Sequence, residues 1–412
     1  MTIRATDHPE PLGANRDFKV LLVSQGISAL GDAVSFTALP LLVLALTGSG
    51  LAMGVVGALQ TIPDLFLAML AGVMADRSDR KKMMFVADLG RAFLTALIPL
   101  SVVLGGPTMV VILLVAAPMS MLRAFFLAGY TASVPALVGR SQVGRANSYF
   151  EAIYSVGFIV GPAIAGLLAA TIGPGPTLAI DALSFGLSSL GLLFVRRDLR
   201  APIDRPHGRL LTEIREGIDY IVGHETLRVV ILFWGLVSIT IASTVTALAV
   251  HITRDLAMPA TVLGVVLTAF GVGTVSGALV MSRVSQDRPA PILLGGTVVT
   301  GSMMLVLASS GPVPVFLAAA LVFGVAQSMV MLTYITLRTN LSPDALLGRI
   351  GSTARTISLG LQPIGLIIGG LLIDATSGST AMVAMGLGEI LICAVFVSIG
   401  AMRRASPNVS PA

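Results

Sequence analysis

Apolar residues occur along this chain in long runs, separated by short polar or Gly/Pro-rich breaks. A helix needs about 20 mainly apolar residues to cross the hydrocarbon core of a bilayer. The first six runs of that length are 18–46, 51–75, 83–104, 108–138, 145–172 and 177–195. The last six are 229–252, 260–282, 290–309, 312–337, 348–373 and 380–402. The pattern therefore predicts an all-α membrane protein with twelve transmembrane helices.

The breaks between the runs predict two halves. Breaks such as 47–50 and 173–176 are short, so the helices that they join are antiparallel neighbours. The one long break holds Leu210, Leu211, Ile214, Ile218 and Ile221 on one helical face, which is typical of an amphipathic surface helix and equally of a plain linker. We divide the chain into a cytoplasmic tail (1–17), an N-terminal six-helix bundle (18–196), a cytoplasmic linker with an amphipathic helix (197–228), a C-terminal six-helix bundle (229–402) and a cytoplasmic tail (403–412).

The two halves also share residues at a fixed distance. With an offset of 204, Tyr130 matches Tyr334, Arg145 matches Arg349 and Gly161 matches Gly365. Matches of Tyr, Arg and Gly at one offset are harder to obtain by chance than matches of apolar residues. They favour a parallel repeat of six spans, an arrangement that occurs in transporters.

Composition and charge agree with a membrane location. Of 412 residues, 55% are hydrophobic and 11% are charged, against roughly 25% charged in a soluble domain. Arginine and lysine concentrate in the loops on the side of the N-terminus: Arg77, Arg80, Lys81, Lys82, Arg140, Arg145, Arg196, Arg197, Arg200, Arg205, Arg209, Arg215, Arg283, Arg288, Arg349, Arg403 and Arg404. The opposite loops hold Arg254 alone. The positive-inside rule then predicts a multi-pass membrane protein with both termini in the cytoplasm. Its positive charge faces lipid rather than nucleic acid.

Several kinds of chemistry are absent from the sequence. The chain has three lysines, and none follows a Gly-rich phosphate-binding loop. The pair His224 and Glu225 does not continue to a second histidine, because Arg228 stands at that position. The single cysteine, Cys393, excludes an internal disulfide. We therefore predict a protein that is not an enzyme and has no cofactor or metal, and that takes energy from an ion gradient or a separate subunit.

A first motif lies at the inner end of the second span. It consists of Gly72, Asp76, Arg77 and Arg80, with Asp79 between the two arginines. The segment resembles the signature G-x-x-x-D-R-x-G-R-[KR] of the major facilitator superfamily, with Asp79 in place of a glycine. The glycine would allow close helix approach, and the acid would engage a neighbouring helix end or a basic residue. The alternative is an ordinary basic loop.

A second motif lies in the fifth span, where Gly157, Gly161, Pro162, Ala165 and Gly166 follow one another. It resembles the G-x-x-x-G-P-x-x-G-G motif of the proton-driven exporters of that superfamily, with Ala165 for one glycine. Small residues at this spacing form a groove for a neighbouring helix, and the proline bends the helix. A generic packing face is the alternative interpretation.

The resemblance extends over essentially the whole chain and is strongest to the bacterial drug- and siderophore-exporting branch, which implies a location in the bacterial inner membrane. It implies two bundles that rock about a central cavity lined by the first, fourth, seventh and tenth spans. The residues that we expect in this cavity are Phe36, Phe126, Tyr130, Trp234, Gln327 and Tyr334. Aromatic and amide groups suit a largely apolar small-molecule substrate, although each residue alone is better explained by packing. We expect a monomer surrounded by membrane lipid.

Charged residues inside the spans require a reason, because each costs about 2.5–3.5 kcal/mol at the bilayer centre on insertion scales. Asp32 and Arg123 lie in the middle of the first and fourth spans, and we predict that they form an ion pair facing the cavity. Burial favours the neutral acid and the arginine favours the carboxylate, so Asp32 could load and release a coupling proton. Asp64 is a rival proton site, and a static ion pair is the alternative interpretation.

Four further charged residues have other expected roles. Asp88 and Arg91 are interpreted as structural partners of the loop at Asp76, and Asp181 as a solvated residue at the outer boundary. Glu389 has no assigned role.

These observations together predict a secondary active efflux transporter. It would exchange protons for amphipathic small molecules, such as a drug, an antibiotic or a siderophore, by alternating access. An importer or facilitator and a lipid flippase are alternatives on the same fold. A non-transporting membrane sensor is a less favoured alternative, because it would not need charges in the middle of the spans.

Overall fold

The computed structural model describes residues 11–200, 210–285 and 287–403. Within these ranges, twelve helices are long and apolar enough to cross a membrane. They lie within a few residues of the runs read from the sequence, because Gly and Pro end both the apolar run and the helix. The first helix, for example, ends at Thr47, and Gly48 follows with a φ of +64°. The predicted all-α fold class is confirmed.

The first six spans are built from seven helices. They are α1 (Arg16–Thr47), α2 (Gly50–Arg77), α3 (Arg80–Val103), α4 (Thr108–Val138), α5 (Val143–Thr171), α6 (Pro174–Thr177) and α7 (Ala179–Leu193). The short α6 and the longer α7 together form the sixth span.

The remaining chain continues with the linker helix and six more spans. These helices are α8 (Leu210–Gly223), α9 (Glu225–Ala242), α10 (Thr244–Val250), α11 (Ala260–Met281), α12 (Pro289–Leu307), α13 (Val313–Asn340), α14 (Leu347–Ala375), α15 (Gly378–Ser398) and α16 (Gly400–Arg403). The seventh span consists of α9, α10 and a π-helical turn at His251–Asp255.

Helix bounds repeat at the offset seen in the sequence. A 3-10 turn at Arg140–Gln142 precedes α5, and another at Asp344–Leu346 precedes α14. Both turns and both ends of the two 29-residue helices differ by 204 positions. The fifth and eleventh spans therefore begin and end in the same way, which supports a six-span repeat.

The linker helix α8 packs on the helices that follow it. Ile221 is buried in a hydrophobic core that also contains Ile350 of α14. Glu216 forms an ion pair with Arg349 at the start of α14. Ile218 and Val222 are exposed, so only part of the apolar side is covered by protein. Three of the arginines in the loops on the side of the N-terminus lie outside the described residues: Arg205, Arg209 and Arg404.

The chain forms two compact units: Met1–Leu39 with Ile62–Arg205, and Pro40–Thr61 with Pro206–Ala412. Each unit has its own buried hydrophobic core. Residues 40–61 belong by sequence to the first six spans but pack in the second unit, so the assignment of 18–196 to one bundle stays a prediction. The helices α1 and α2 pass from one unit to the other at Pro40 and next to Pro63. A proline inside a helix removes a backbone hydrogen bond and bends the helix.

Candidate functional site

A buried arginine of α3 holds two carboxylates in the first unit. Arg91 binds Asp32 of α1 through Nη2 at 2.7 Å, and its Nη1 lies 3.4 Å from Asp88 Oδ1. The guanidinium carbon lies 3.7 Å from the centroid of the Phe185 ring on α7. The side chains of Arg91 and Asp88 are 5% and 0% exposed, whereas that of Asp32 is 39% exposed. Asp32 is therefore the most exposed member of a mostly buried charged group.

A third carboxyl group lies against the same stretch of α1. Asp181 Oδ2 accepts a hydrogen bond of 2.5 Å from Ser35, and Asp181 Oδ1 lies 3.4 Å from the hydroxyl of Ser184. A Cβ atom at Gly31 would lie 2.7 Å from Asp181 Oδ1, so only glycine at this position allows α7 to come so close to α1. Asp181 is 2% exposed. The prediction of a solvated residue at the membrane boundary is therefore wrong, because α1 covers Asp181.

A separate ion pair joins α2 and α4. Arg123 binds Asp64, which also accepts a hydrogen bond of 3.0 Å from Ser120. The side chain of Arg123 is 54% exposed and that of Asp64 is 21% exposed. The predicted pairing of Asp32 with Arg123 is therefore wrong: Asp32 binds Arg91, and Arg123 binds Asp64. A role of Asp32, Arg123 and Asp64 in proton coupling stays a prediction.

The motif at the end of α2 forms a local network. Arg80 lies 3.6 Å from Asp76 and donates to the carbonyl oxygens of Ala75 and Ala132, both at 2.9 Å. Arg80 therefore ties the end of α2 to α4. Asp76 is paired with Arg80 and not with residues of α3 farther along, so the assignment of Asp88 and Arg91 to this loop is wrong.

Two residues of this motif behave differently from the expectation. Asp79, which stands where the superfamily has glycine, caps α3 by accepting from the backbone N–H of Lys82 at 3.1 Å. It also lies 3.7 Å from Arg200. At Gly72 an added Cβ would meet no heavy atom of the described chain within 4 Å, so the close approach expected there is not present. Arg77 is exposed at the last position of α2.

The glycine-rich face of α5 positions α1. A Cβ at Gly157 would lie 3.1 Å from the backbone carbonyl of Ala29, and one at Gly161 would overlap the methyl group of Ala33. Gly157, Gly161, Pro162, Ala165 and Gly166 are all buried. Ala29 and Ala33 lie within one helical turn of Asp32 on α1. This contact therefore sets the position of Asp32 in the first unit.

Aromatic residues of the first unit pack mainly with each other. Phe126 stacks on Tyr130 at 6.4 Å, and Tyr130 meets the edge of Phe150 at 5.1 Å. Phe126 is buried in the core of this unit. Phe36 is 43% exposed and lies 5.6 Å from Phe158. Among these, Phe36 is therefore the most exposed ring, and its role in substrate binding stays a prediction.

The second unit contains the other residues expected in the cavity. Trp234 stacks on Tyr334 at 5.0 Å, and the guanidinium of Arg338 lies over the Tyr334 ring. Tyr334 is buried in the core. Gln327 Oε1 is buried and has no hydrogen-bond partner within the described ranges. A role of these residues in substrate binding stays a prediction.

Glu389 is a buried acid of the second unit. It is 0% exposed on α15. Thr240 donates to Oε1 at 3.3 Å, and Thr300 donates to Oε2. The carboxyl group is thus held by hydroxyl groups from α9 and α12.

Comparison with known sequences gives matches over almost the entire chain. A family model described as transmembrane secretion effector matches residues 10–409. The multidrug efflux pump Tap of Mycolicibacterium fortuitum is 29% identical over 398 residues, which cover 93% of this chain and 96% of that protein. The enterobactin exporter EntS of Escherichia coli O1:K1 / APEC is 24% identical over 409 residues, which cover 95% of each chain.

Comparison with solved structures gives the same fold at lower identity. The nucleoside transporter NupG superposes with a TM-score of 0.74 at 14% identity, covering 94% of this chain and 99% of that one. A bacterial homologue of the iron transporter ferroportin superposes with a TM-score of 0.73 at 18% identity, covering 93% and 99%. The arrangement of helices is therefore that of known membrane transporters.

Proposed function

Because this chain belongs to the transmembrane secretion effector family of the major facilitator superfamily, we propose that it exports amphipathic small molecules in exchange for protons. Its family and relatives are transporters, and efflux is the activity named for the relatives. The chain is a multi-pass protein of the membrane. Arginine-rich loops on the side of the N-terminus support an orientation with both termini in the cytoplasm.

The observation that carries proton coupling is the pair of Asp32 with Arg91. Asp32 is the more exposed partner, and we infer that it is the one that exchanges a proton, whereas Arg91 is buried and must keep a counter-ion. Protonation of Asp32 would remove the negative charge that Arg91 binds. A change of protonation at Asp32 would thus change the contacts that hold α1 to α3, which is the connection between proton and conformation that antiport needs.

The substrate class is supported by the relatives and by two exposed groups. One relative is named for multiple drugs and another for the siderophore enterobactin. Phe36 offers an exposed ring and Arg123 an exposed cation in the first unit. A molecule with an aromatic part and polar or acidic groups would match both.

The test uses purified protein in liposomes with an imposed pH gradient. Ethidium and enterobactin serve as probes. Their accumulation is measured inside liposomes in which the protein is oriented so that the lumen corresponds to the cell exterior. We expect uphill accumulation of at least one probe that an uncoupler abolishes. Asp32→Asn should abolish uphill accumulation while downhill movement continues, because the amide cannot release a proton.

The matched control is Asp287→Asn, since Asp287 contacts the neighbouring Ser285 in an exposed loop. It should transport at the wild-type rate. Accumulation that persists with uncoupler, or undiminished uphill export by Asp32→Asn, would overturn proton coupling at this residue. Movement of fluorescent phospholipid without movement of either probe would favour a flippase, and proton-driven movement in the opposite direction would favour an importer.

A further inference from the structure

In the first unit, three acids lie around one arginine. Asp32, Asp88 and Asp181 come from three helices, and Arg91 is the cation that contacts two of them. The charged groups that act electrostatically on Asp181 are Asp32 from α1 and Arg91 from α3, with Asp88 next to Arg91. One guanidinium cannot compensate three carboxylates in a medium of low dielectric constant.

Burial and contacts indicate which acid carries a proton. Asp181 is 2% exposed, and its carboxyl group contacts the hydroxyls of Ser35 and Ser184. Asp32 has the shortest contact with Arg91 and is the most exposed of the three acids. With Asp181 neutral, the remaining excess negative charge lies on Asp32, where water can stabilise it.

Arg91 also has unused bonding capacity. Its Nε–H is buried without a hydrogen-bond partner in the described part of the chain. A buried polar group without a partner is unfavourable, and it is expected where pairing changes during function. The Asp181 carboxyl lies against residue 31, next to Asp32, so a small movement of α1 would change which acid faces Arg91.

We propose that Asp181 is a second proton-binding residue of the transporter, which holds a proton while Asp32 is paired with Arg91. When Asp32 takes up a proton, Arg91 loses that partner. Asp181 then releases its proton to water and its carboxylate becomes the new partner of Arg91. One proton is bound and one is released, and the cluster keeps the same charge. This proposal rests on the proposed proton-coupled export.

Infrared difference spectroscopy tests the protonation of Asp181 directly. A buried carboxylic acid gives a carbonyl band that the carboxylate lacks. In the purified protein at neutral pH, we expect one such band to lose intensity when ethidium is added. Asp181→Asn should lack this band, and Ser35→Ala, which keeps the acid but removes its hydrogen-bond donor, should shift its frequency. Asp181→Asn should also show a net uptake of one proton when ethidium is added, because Asp32 then takes up a proton without a compensating release from Asp181.

The matched control is Glu389→Gln, which removes another buried acid held by two hydroxyl groups. It should remove a different band and leave the ethidium-sensitive band in place. An ethidium-sensitive band that persists in Asp181→Asn, or an unshifted spectrum of Ser35→Ala, would overturn the proposal. These spectra do not depend on a pH gradient, so failure at Asp181 is distinguishable from failure of proton-driven transport in liposomes.

Discussion

The guanidinium groups of Arg91 and Arg123 each bind a carboxylate on a different helix. Removal of one partner would leave the other charge inside the membrane without its counter-ion. Removal of both partners avoids this penalty. The two pairs are independent in their contacts, since Arg91 binds Asp32 and Arg123 binds Asp64. Pairs of substitutions should therefore compensate within each ion pair and not between the two.

A double-mutant cycle on Asp64 and Arg123 checks this pairing. Asp64→Asn and Arg123→Gln should each lower the stability of the detergent-purified protein. The loss of stability in the double variant should be smaller than the sum of the two single losses by about 0.5–1 kcal/mol. This value is modest because Arg123 is more than half exposed. Stability is measured as the fraction that stays monodisperse after heating. The control is Asp32→Asn with Arg123→Gln, and compensation in that combination instead would contradict the observed pairs.

The charged residues show what the sequence could and could not predict at this scale. It indicated that Asp32, Asp64 and Arg123 lie in the middle of spans, because depth follows from position along an apolar run. It did not indicate the direction of each side chain around its helix axis, which decides whether Asp32 meets Arg91 or Arg123. Asp181 was misplaced because it follows a Gly/Pro-rich break. Gly31 in the first span was the one sequence feature that indicated close approach of another helix, and it is the first span that covers Asp181.

At the scale of helices, the contact between α1 and α5 is the one that small residues determine most directly. Gly161 lies against Ala33, and its neighbours there are the Cβ and backbone atoms of Ala33, which cannot rotate away from an added side chain. Gly186 on α7 is a useful contrast, since an added Cβ there would meet no described atom within 4 Å. The two glycines lie in the same unit and differ in their surroundings.

Gly161→Ala should separate α1 from α5 and destabilise the protein by about 1–3 kcal/mol, as in other overpacked sites. It should also reduce proton-driven export, because Asp32 lies next to Ala33. Gly186→Ala should leave stability unchanged or raise it slightly, since alanine favours helices over glycine. Folded yield and thermal stability in detergent measure the difference. Equal behaviour of the two variants would show that this contact does not position α1.

Helices were predicted more accurately than contacts between helices, for a physical reason. The bilayer sets the length of a span, and Gly or Pro marks its end, so both can be read from one sequence. The α5 pattern Gly157, Gly161 and Gly166 indicated a groove but not which helix fills it. Gly72 shows the converse error: it matched a family motif that predicts close helix packing, yet no described atom lies close enough to require glycine.

At the scale of the whole molecule, residues 40–61 are informative because they pack with helices far away in sequence. In the second unit, the carboxylate of Asp374 at the end of α14 accepts hydrogen bonds from the hydroxyl of Ser49 and the N–H of Gly50, both at 2.5 Å, and from the N–H of Leu51 at 3.1 Å. It thus caps the N-terminus of α2. Gly370 lies against the backbone of Gly50 and allows this approach. On the prediction that the first six spans move as one bundle, an alternating-access cycle that opens this side breaks the cap, because α2 belongs by sequence to that bundle.

Asp374→Ala should therefore favour opening on the side of loop 47–50. Loss of a helix cap costs about 1 kcal/mol, which corresponds to roughly a fivefold shift of a two-state equilibrium. Met53 is buried on α2 near this cap, so a Met53→Cys variant reports the opening by its reaction with a membrane-impermeant maleimide. The native Cys393 is buried and gives little background. Labelling should be several times faster in Asp374→Ala than in the Asp287→Asn control. An unchanged rate would mean that the Asp374 cap does not restrain this face, and export would then have to open it by breaking other contacts.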